Sequence, residues 1–448
     1  MKNISMLGLK VSKTEKFLIF FTGSTIGLIV SLLASNGPFT HFSENHVFAL
    51  IKVILCILIS SSILYFIAST VSQKLMNIVF LAFFLRIITV FFMSIFGILP
   101  YQYDNNWDLT ASQLLPSWHA GNFYFDVGNG FEPYSILTTI IYFLLGENPI
   151  YMQLLNAFFG ALTIYVIFLI CLKLFNKRVA YLTSIIIALW PTYIFFISMQ
   201  MRESLAIFFI TLLIYFFINW LNDFKIKNLI GVLIALIFSA LIREQNAVLV
   251  TLILFPFVIV HFWKNSNKYL KIFSVIFSFV GLIIAFLILN VSGYLSYLNL
   301  NYISEEMNYR TDGETAYLAW MNYSSIFDLI IYSPIRLIYF VYTPFPWQIT
   351  DFQQAISFLE SIVLIIMTFY ILKNIKKIIN YSLYKKGFFF LIAFCLLGLI
   401  ANGLIDSNVG TAIRHKLQYL YLFIILFVAA WDYNKTKVLN EKTRYNSD

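Results

Sequence analysis

Four short polar stretches interrupt an otherwise apolar chain, and each holds side chains able to do chemistry. In YQYDNNWD, Asp104 and Asp108 stand about one helical turn apart, so a helix would put both on one face. Carboxylates at the mouth of a cavity can act as a general base or bind a cation. The plain alternative is a helix cap, because Asp is common at helix N-termini. QMRESL brings Arg202 and Glu203 to the start of an apolar run, where a Glu also complements the helix dipole. LIREQN sets Arg243, Glu244 and Gln245 in a very short connection between two apolar runs. DSNVGTAIRHKLQ carries Asn408, Gly410, Thr411, Arg414, His415 and Lys416 into the last apolar run. Three basic groups there are costly unless something anionic meets them. SWHAGN adds Trp118 and His119, the latter a candidate acid or acceptor ligand. No HxxH or HExxH spacing exists, which argues against a zinc site. A phosphate loop of GxxxxGK[ST] type is absent, as is a GxGxxG before a strand.

The elements that must position these groups are membrane helices. Of 448 residues, 60% are hydrophobic and 11% charged, against roughly 25% charged in an average soluble domain. With 48 Phe and 28 Tyr, a soluble fold of this length could not hide its apolar surface in one core. The mean hydropathy of +0.83 agrees. The fold class expected is all-α, a polytopic transmembrane helical bundle. A soluble enzyme, a nucleic-acid binder and a disordered regulator are excluded. The net charge of +9 reads as cytoplasmic loops, since positive loops fix membrane orientation. Cys56, Cys171 and Cys395 each lie inside an apolar run and read as core fillers rather than disulfides or metal ligands. The first apolar run, 17–34, is followed by no small-residue cleavage motif and reads as a signal anchor. Tracts rich in Asn, Ile, Lys and Phe fit a bacterium with an AT-rich genome.

A span needs roughly 20 apolar residues. Twelve are expected, at 17–35, 47–69, 75–99, 150–172, 179–200, 204–221, 228–242, 246–263, 270–292, 352–372, 387–403 and 413–431. Two further stretches, 134–145 and 326–343, read as interfacial helices: the first is too short to span, and the second is broken by Pro334 and carries Arg336. With this layout 22 of the 30 Lys and Arg fall on one side, the cytoplasm, together with both termini. The other side holds 15 of the 21 Asp and Glu, and six basic residues: Arg202, Arg243, Arg310, Arg336, Arg414 and Lys416. Topology explains the lysines but not the choice of Arg outside. Arg grips phosphate or carboxylate with a planar fork, so these residues point to an anionic ligand on the outer face. The alternative is that each pairs with a nearby acid to hold loops together. Lys52 and Arg86 lie inside apolar spans; the first can snorkel, and the second needs a partner or a cavity. The expected organisation is two N-terminal spans (1–74), a catalytic core (75–292) with a first outer loop at 100–149, a second outer loop with its interfacial helix (293–351), and C-terminal spans with a cytoplasmic tail (352–448).

From Arg86 to Trp263 the order of these features resembles the GT-C superfamily of integral-membrane glycosyltransferases. It is most similar to family 39-like bacterial members, relatives of protein O-mannosyltransferases and lipid A aminoarabinose transferases. An outer acidic motif (YDNNWD) is followed by an aromatic loop with interfacial helices (FEPYSILTTIIYFLLG) and a span opening with small and polar residues (QLLNAFFGALTIYVIFLICLKLFNKR). A span ending in Pro (YLTSIIIALWPTYIFFISM) then leads to RESL and IREQ. The resemblance implies a polyprenyl-phosphate sugar donor and inverting transfer on the extracytoplasmic side of the bacterial cytoplasmic membrane. It implies Asp104 as the base that deprotonates the acceptor hydroxyl, with Asp108 beside it in the motif. Glu203 would orient the acceptor or, in some members, help bind a divalent cation. Arg243 and Arg414, with Arg202, His415 and Lys416 near them in sequence, would hold the donor phosphate. Tyr103, Trp107 and Trp118 would stack on sugar rings, with His119 on the acceptor side. The implied partners are the lipid-linked sugar, a glycan or lipid acceptor of the cell envelope and membrane lipids.

A polysaccharide polymerase of O-antigen or capsule type is the main rival; it would lean on its arginines and tolerate loss of Asp104. A transporter or lipid flippase would show inverted repeats or charges at mid-membrane, and only Arg86 lies at depth.

Overall fold

The computed structural model describes residues 46–93, 105–125, 133–243, 300–309 and 315–445, with scattered positions between 245 and 311. Its helices with described bounds are α1 (His46–Ser69), α2 (Gln73–Phe91), α3 (Asn105–His119), α4 (Pro133–Leu145), α5 (Pro149–Leu174), α6 (Lys177–Leu189), α7 (Pro191–Ser198), α8 (Glu203–Asp223) and α9 (Ile226–Ile242). Beyond residue 299 follow α10 (Leu300–Tyr309), α11 (Ile326–Tyr342), α12 (Phe352–Tyr381), α13 (Lys385–Ile405) and α14 (Val409–Tyr445). Among the described residues there is no strand, only one isolated bridge between Ala316 and Asn408. This is the all-α polytopic membrane fold the composition demands, because only helices and closed barrels satisfy every backbone group in lipid.

Seven described helices are long and apolar enough to cross a membrane: α1, α2, α5, α8, α12, α13 and α14, the last over Val409–Thr436. The pair α6–α7 is apolar enough only when taken together and bends by 61° at its break, so the count reaches eight if the pair is one span. The expected spans at 17–35 and 270–292, and most of 246–263, lie outside the described residues. The stretch 326–343 differs from the sequence expectation in one respect: α11 runs unbroken through Pro334. A capping box of Ser325 and Asp328 starts it, satisfying backbone donors that have no partner in a first turn.

The chain divides into two compact units. Unit 1 is Met1–Phe158 with Ser198–Gln200. Within it α1 packs on α2 and α3 on α4. Lys52 Nζ donates to the Leu145 carbonyl at the end of α4 (2.6 Å), so its charge is met by an unpaired helix-end carbonyl. Arg86 is fully buried and donates to the Ala82 carbonyl of its own helix (2.8 Å).

Unit 2 is Phe159–Ile197 with Met201–Asp448. Its centre is α14, the most buried of the candidate spans, which packs against α6, α8, α11, α12 and α13. Gly398 on α13 makes room for the Tyr419 ring of α14, the close approach that small residues permit between membrane helices. At the α6–α7 break, the Glu360 carboxylate of α12 accepts from Thr192 N (2.7 Å) and Thr192 Oγ1 (2.6 Å). A side chain from another helix thus caps the backbone donors of α7.

Three of the basic segments assigned by charge to one side meet in this unit. Asp432 pairs with Arg178 (3.2 Å) and accepts from Asn176 (3.0 Å) and Tyr381 (2.7 Å), while Leu383 N donates to Leu174 O (2.8 Å). His415 lies near the other end of α14, about 25 Å away along the helix axis, close to the thickness of a bilayer core.

Candidate functional site

The polar groups of unit 2 converge near the start of α14. Arg202 stands at the N-cap of α8 and Glu203 begins the helix. Phe224 ends α8 in the left-handed region (φ 52), and α9 packs back along α8. The return brings Arg243, the C-cap of α9, to the level of Glu203. Arg414 and His415 come from the second turn of α14. The Glu203 carboxyl, 2% exposed, faces Arg414, Arg243, Arg202 and His415 electrostatically. Three motifs far apart in sequence form one charge cluster.

Arg243 is buried and also faces Asp406 and Tyr419. Burial, with Arg202 beside it, pushes its guanidinium down to about 10, so it remains a cation at neutral pH. The His415 ring holds Asp406 by Nδ1 (2.7 Å to Oδ2); a carboxylate only accepts, so Nδ1 carries the proton. Arg414 Nη1 lies 3.9 Å from Met201 Sδ. Lys416 does not join the cluster. One residue further round the helix, its Nζ donates to the carbonyls of Thr343 and Val341 and faces Glu360.

Two charged groups of the cluster are incompletely satisfied. Glu203 Oε2 and Arg243 Nε are buried and have no hydrogen-bond partner among the described residues, nor has Asn246 Nδ2. Leaving a buried polar group unmade costs about 1–3 kcal/mol, more when it is charged. A phosphate offers acceptors to the guanidiniums, and a hydroxyl offers a donor to Glu203.

Unit 1 carries a different arrangement. Asp108, in the first turn of α3, accepts from the Tyr142 hydroxyl of α4 and from Gln200 Nε2 (3.3 Å). Gln200 Nε2 also donates to Tyr142 Oη (3.1 Å). Asn156 Nδ2 donates to Tyr134 Oη (3.2 Å) and Met199 O (2.5 Å). Trp107 meets Tyr134 edge-on with centroids 5.1 Å apart. Trp118 is buried among Phe123, Phe125 and Phe143, and its indole N–H donates to Tyr124 O (2.8 Å). His119 lies exposed against Phe143. Asp104, Tyr103 and Glu244 lie outside the described residues.

No group of three or more His, Cys, Asp or Glu among the described residues could hold a metal ion, and the three arginines facing Glu203 repel one.

Residues 134–289 match the family described as dolichyl-phosphate-mannose-protein mannosyltransferase, a GT-C glycosyltransferase family. The match takes in α4, the broken α6–α7 pair and the Arg202, Glu203 and Arg243 positions of this chain. The crystal structure of ArnT from Cupriavidus metallidurans bound to undecaprenyl phosphate is similar, with a TM-score of 0.45 and 13% identity over 79% of this chain and 59% of that one. The chain thus spans about three fifths of that protein's length. No curated protein matches it.

The sequence marked four motifs but not every residue beside them. Asp406 opens the DSNVGTAIRHKLQ stretch and Gln200 opens QMRESL, so both were within sight. Tyr142 sits in an apolar helix, where only its four-residue spacing from Thr138 and Tyr134 marks a polar stripe. Glu360 carried the clearest overlooked signal, a lone carboxyl inside a span.

Proposed function

We propose that this protein transfers a sugar from a polyprenyl-phosphate donor to an acceptor hydroxyl of a cell-envelope glycan or lipid. The transfer takes place on the extracytoplasmic side of a bacterial cytoplasmic membrane. The observation that carries the reading is the convergence of Arg202, Arg243, Arg414 and His415 on the buried Glu203. A GT-C family match over residues 134–289 supports it.

In this reading the acceptor oxygen attacks the anomeric carbon as the bond from that carbon to the phosphate oxygen breaks, inverting the centre. The acceptor proton passes to Asp104. The donor phosphodiester carries one negative charge, and the departing polyprenyl phosphate gains a second. Arg243 and Arg414, with Arg202 and His415, face that growing charge, which is electrostatic stabilisation of the transition state. Glu203 accepts from an acceptor hydroxyl. Tyr103 and Trp107 provide sugar-stacking faces. Asp108, held by Tyr142 and Gln200, supports the helix that follows Asp104.

The test uses purified protein in lipid nanodiscs and measures release of polyprenyl phosphate from a panel of lipid-linked sugars. Asp104→Asn is expected to stop turnover with donor binding intact, and Arg414→Ala to weaken donor binding. Full activity in Asp104→Asn, with only Arg414→Ala inactive, would sink the base assignment and favour the polymerase.

A further inference from the structure

Asp406 is fully buried between α13 and α14. A carboxylate removed from water is costly unless paired, and this one meets the cluster twice. It takes the hydrogen bond of His415 Nδ1 at 2.7 Å, and it faces Arg243.

The turn that carries it is held by backbone contacts that do not use its side chain. Arg336 of α11 donates through Nη2 to the Asp406 carbonyl (3.1 Å) and to Ser407 Oγ (2.7 Å). Tyr317 N donates to Ser407 O (2.8 Å), Val409 N to Thr315 O (3.0 Å), and Tyr323 Oη to Leu404 O (2.7 Å). Asn408 Oδ1 accepts from Gly410 N (2.8 Å) at the start of α14. These contacts fix the backbone of the turn, while the Asp406 carboxylate meets His415 and faces both Arg243 and Arg336.

We propose that Asp406 is a positioning residue for the phosphate-holding cluster: it anchors the His415 ring by Nδ1 and so sets how His415 and the neighbouring arginines meet a lipid-linked phosphate. The inference rests on the function proposed above. With Nδ1 engaged, the imidazole serves the cluster only through its other edge, and ring rotation would cost the buried bond to Asp406. The segment 315–342, through Arg336, holds the turn from which Asp406 reaches in.

The test measures undecaprenyl phosphate binding to full-length protein in nanodiscs by tryptophan quenching, with thermal melting alongside. The variants are Asp406→Asn, Asp406→Glu, His415→Gln and the double variant Asp406→Asn/His415→Gln. Asp406→Asn is expected to weaken binding about tenfold at an unchanged melting temperature, with partial recovery in Asp406→Glu. On the His415→Gln background the same change is expected to cost less than about twofold, because its route runs through the ring. Wild-type binding in Asp406→Asn, or independent multiplication of the two losses, overturns the proposal and leaves the donor reading standing. A loss of binding matched by a falling melting temperature makes Asp406 a fold residue and also overturns it. If the wild-type protein binds no undecaprenyl phosphate, the donor reading falls and takes this inference with it.

Discussion

The two units each set a carboxylate in a polar cluster, half-buried Asp108 in one and buried Glu203 in the other, and they treat it differently. In unit 1, Asp108 accepts from Tyr142 and Gln200, both neutral donors that are themselves joined. In unit 2, Glu203 faces three arginines and a histidine, yet its Oε2 and the Nε of Arg243 have no hydrogen-bond partner among the described residues. In unit 1 the donors to the carboxylate are neutral, and in that network Gln200 Oε1 is the buried atom left without a hydrogen-bond partner among the described residues. In unit 2 the incompletely met groups are charged, which costs more to leave unmade. The difference separates a neutral network that joins α3 and α4 from a charged cluster with room for the anion proposed above.

The comparison can be tested most severely at Arg243. Arg243→Ala is expected to lower kcat/KM by about 100-fold, the order seen when one donor to a developing anion is removed. Some thermal stability should go too, because buried Glu203 and Asp406 lose a counter-charge, but turnover per folded molecule should fall with it. A lost fold with normal turnover per folded molecule would reverse the assignment of the two units.

Arg336 comes next. It is buried, and burial pushes its guanidinium down from its ordinary value. Besides its bonds to Asp406 and Ser407, Nε lies 3.4 Å from Gly403 O and the guanidinium sits over the Tyr323 ring. Arg336→Met is expected to cost about 3 kcal/mol by leaving these acceptors unmet. Hydrogen exchange should show the loosening in 315–342 first.

Gly398→Val should cost about 2 kcal/mol through overpacking, since even a Cβ there would lie 2.6 Å from Tyr419 Oη. Tyr419 faces Arg243, so donor KM should rise while kcat changes less. Unchanged KM would separate the packing of α13 and α14 from the cluster. The smallest effect is expected from Tyr142→Phe: about 1 kcal/mol of thermal stability, with turnover per folded molecule kept. A larger loss of turnover than of stability would move Asp108 from scaffold to chemistry.

Much of this was legible beforehand because lipid imposes simple rules. Apolar length marks spans, so the described spans fall where hydropathy places them, α1 and α8 within a residue or two. Arg202, Glu203, Arg243 and Arg414 stood out because charge near a membrane boundary needs a reason. Asp406 and Gln200 stood beside chosen residues and carried no separate signal. Lys416 was grouped with Arg414 by proximity in sequence, yet residues two apart on a helix point about 200° apart, and the helix turned one to Glu203 and the other to Glu360. Pro334 read as a break, but α11 continues through it.

By itself the sequence determined the medium, the helical class and the residue types able to hold an anion, because each follows from local composition or spacing. The tertiary structure alone decided which charges meet. It placed the end of α9 and the start of α14 against the start of α8, made α14 the centre of its unit, and put Asp406 against His415. Helix faces that touch lipid and faces that touch protein are equally apolar, so hydropathy does not distinguish them, and only the packing says which polar residues share a pocket.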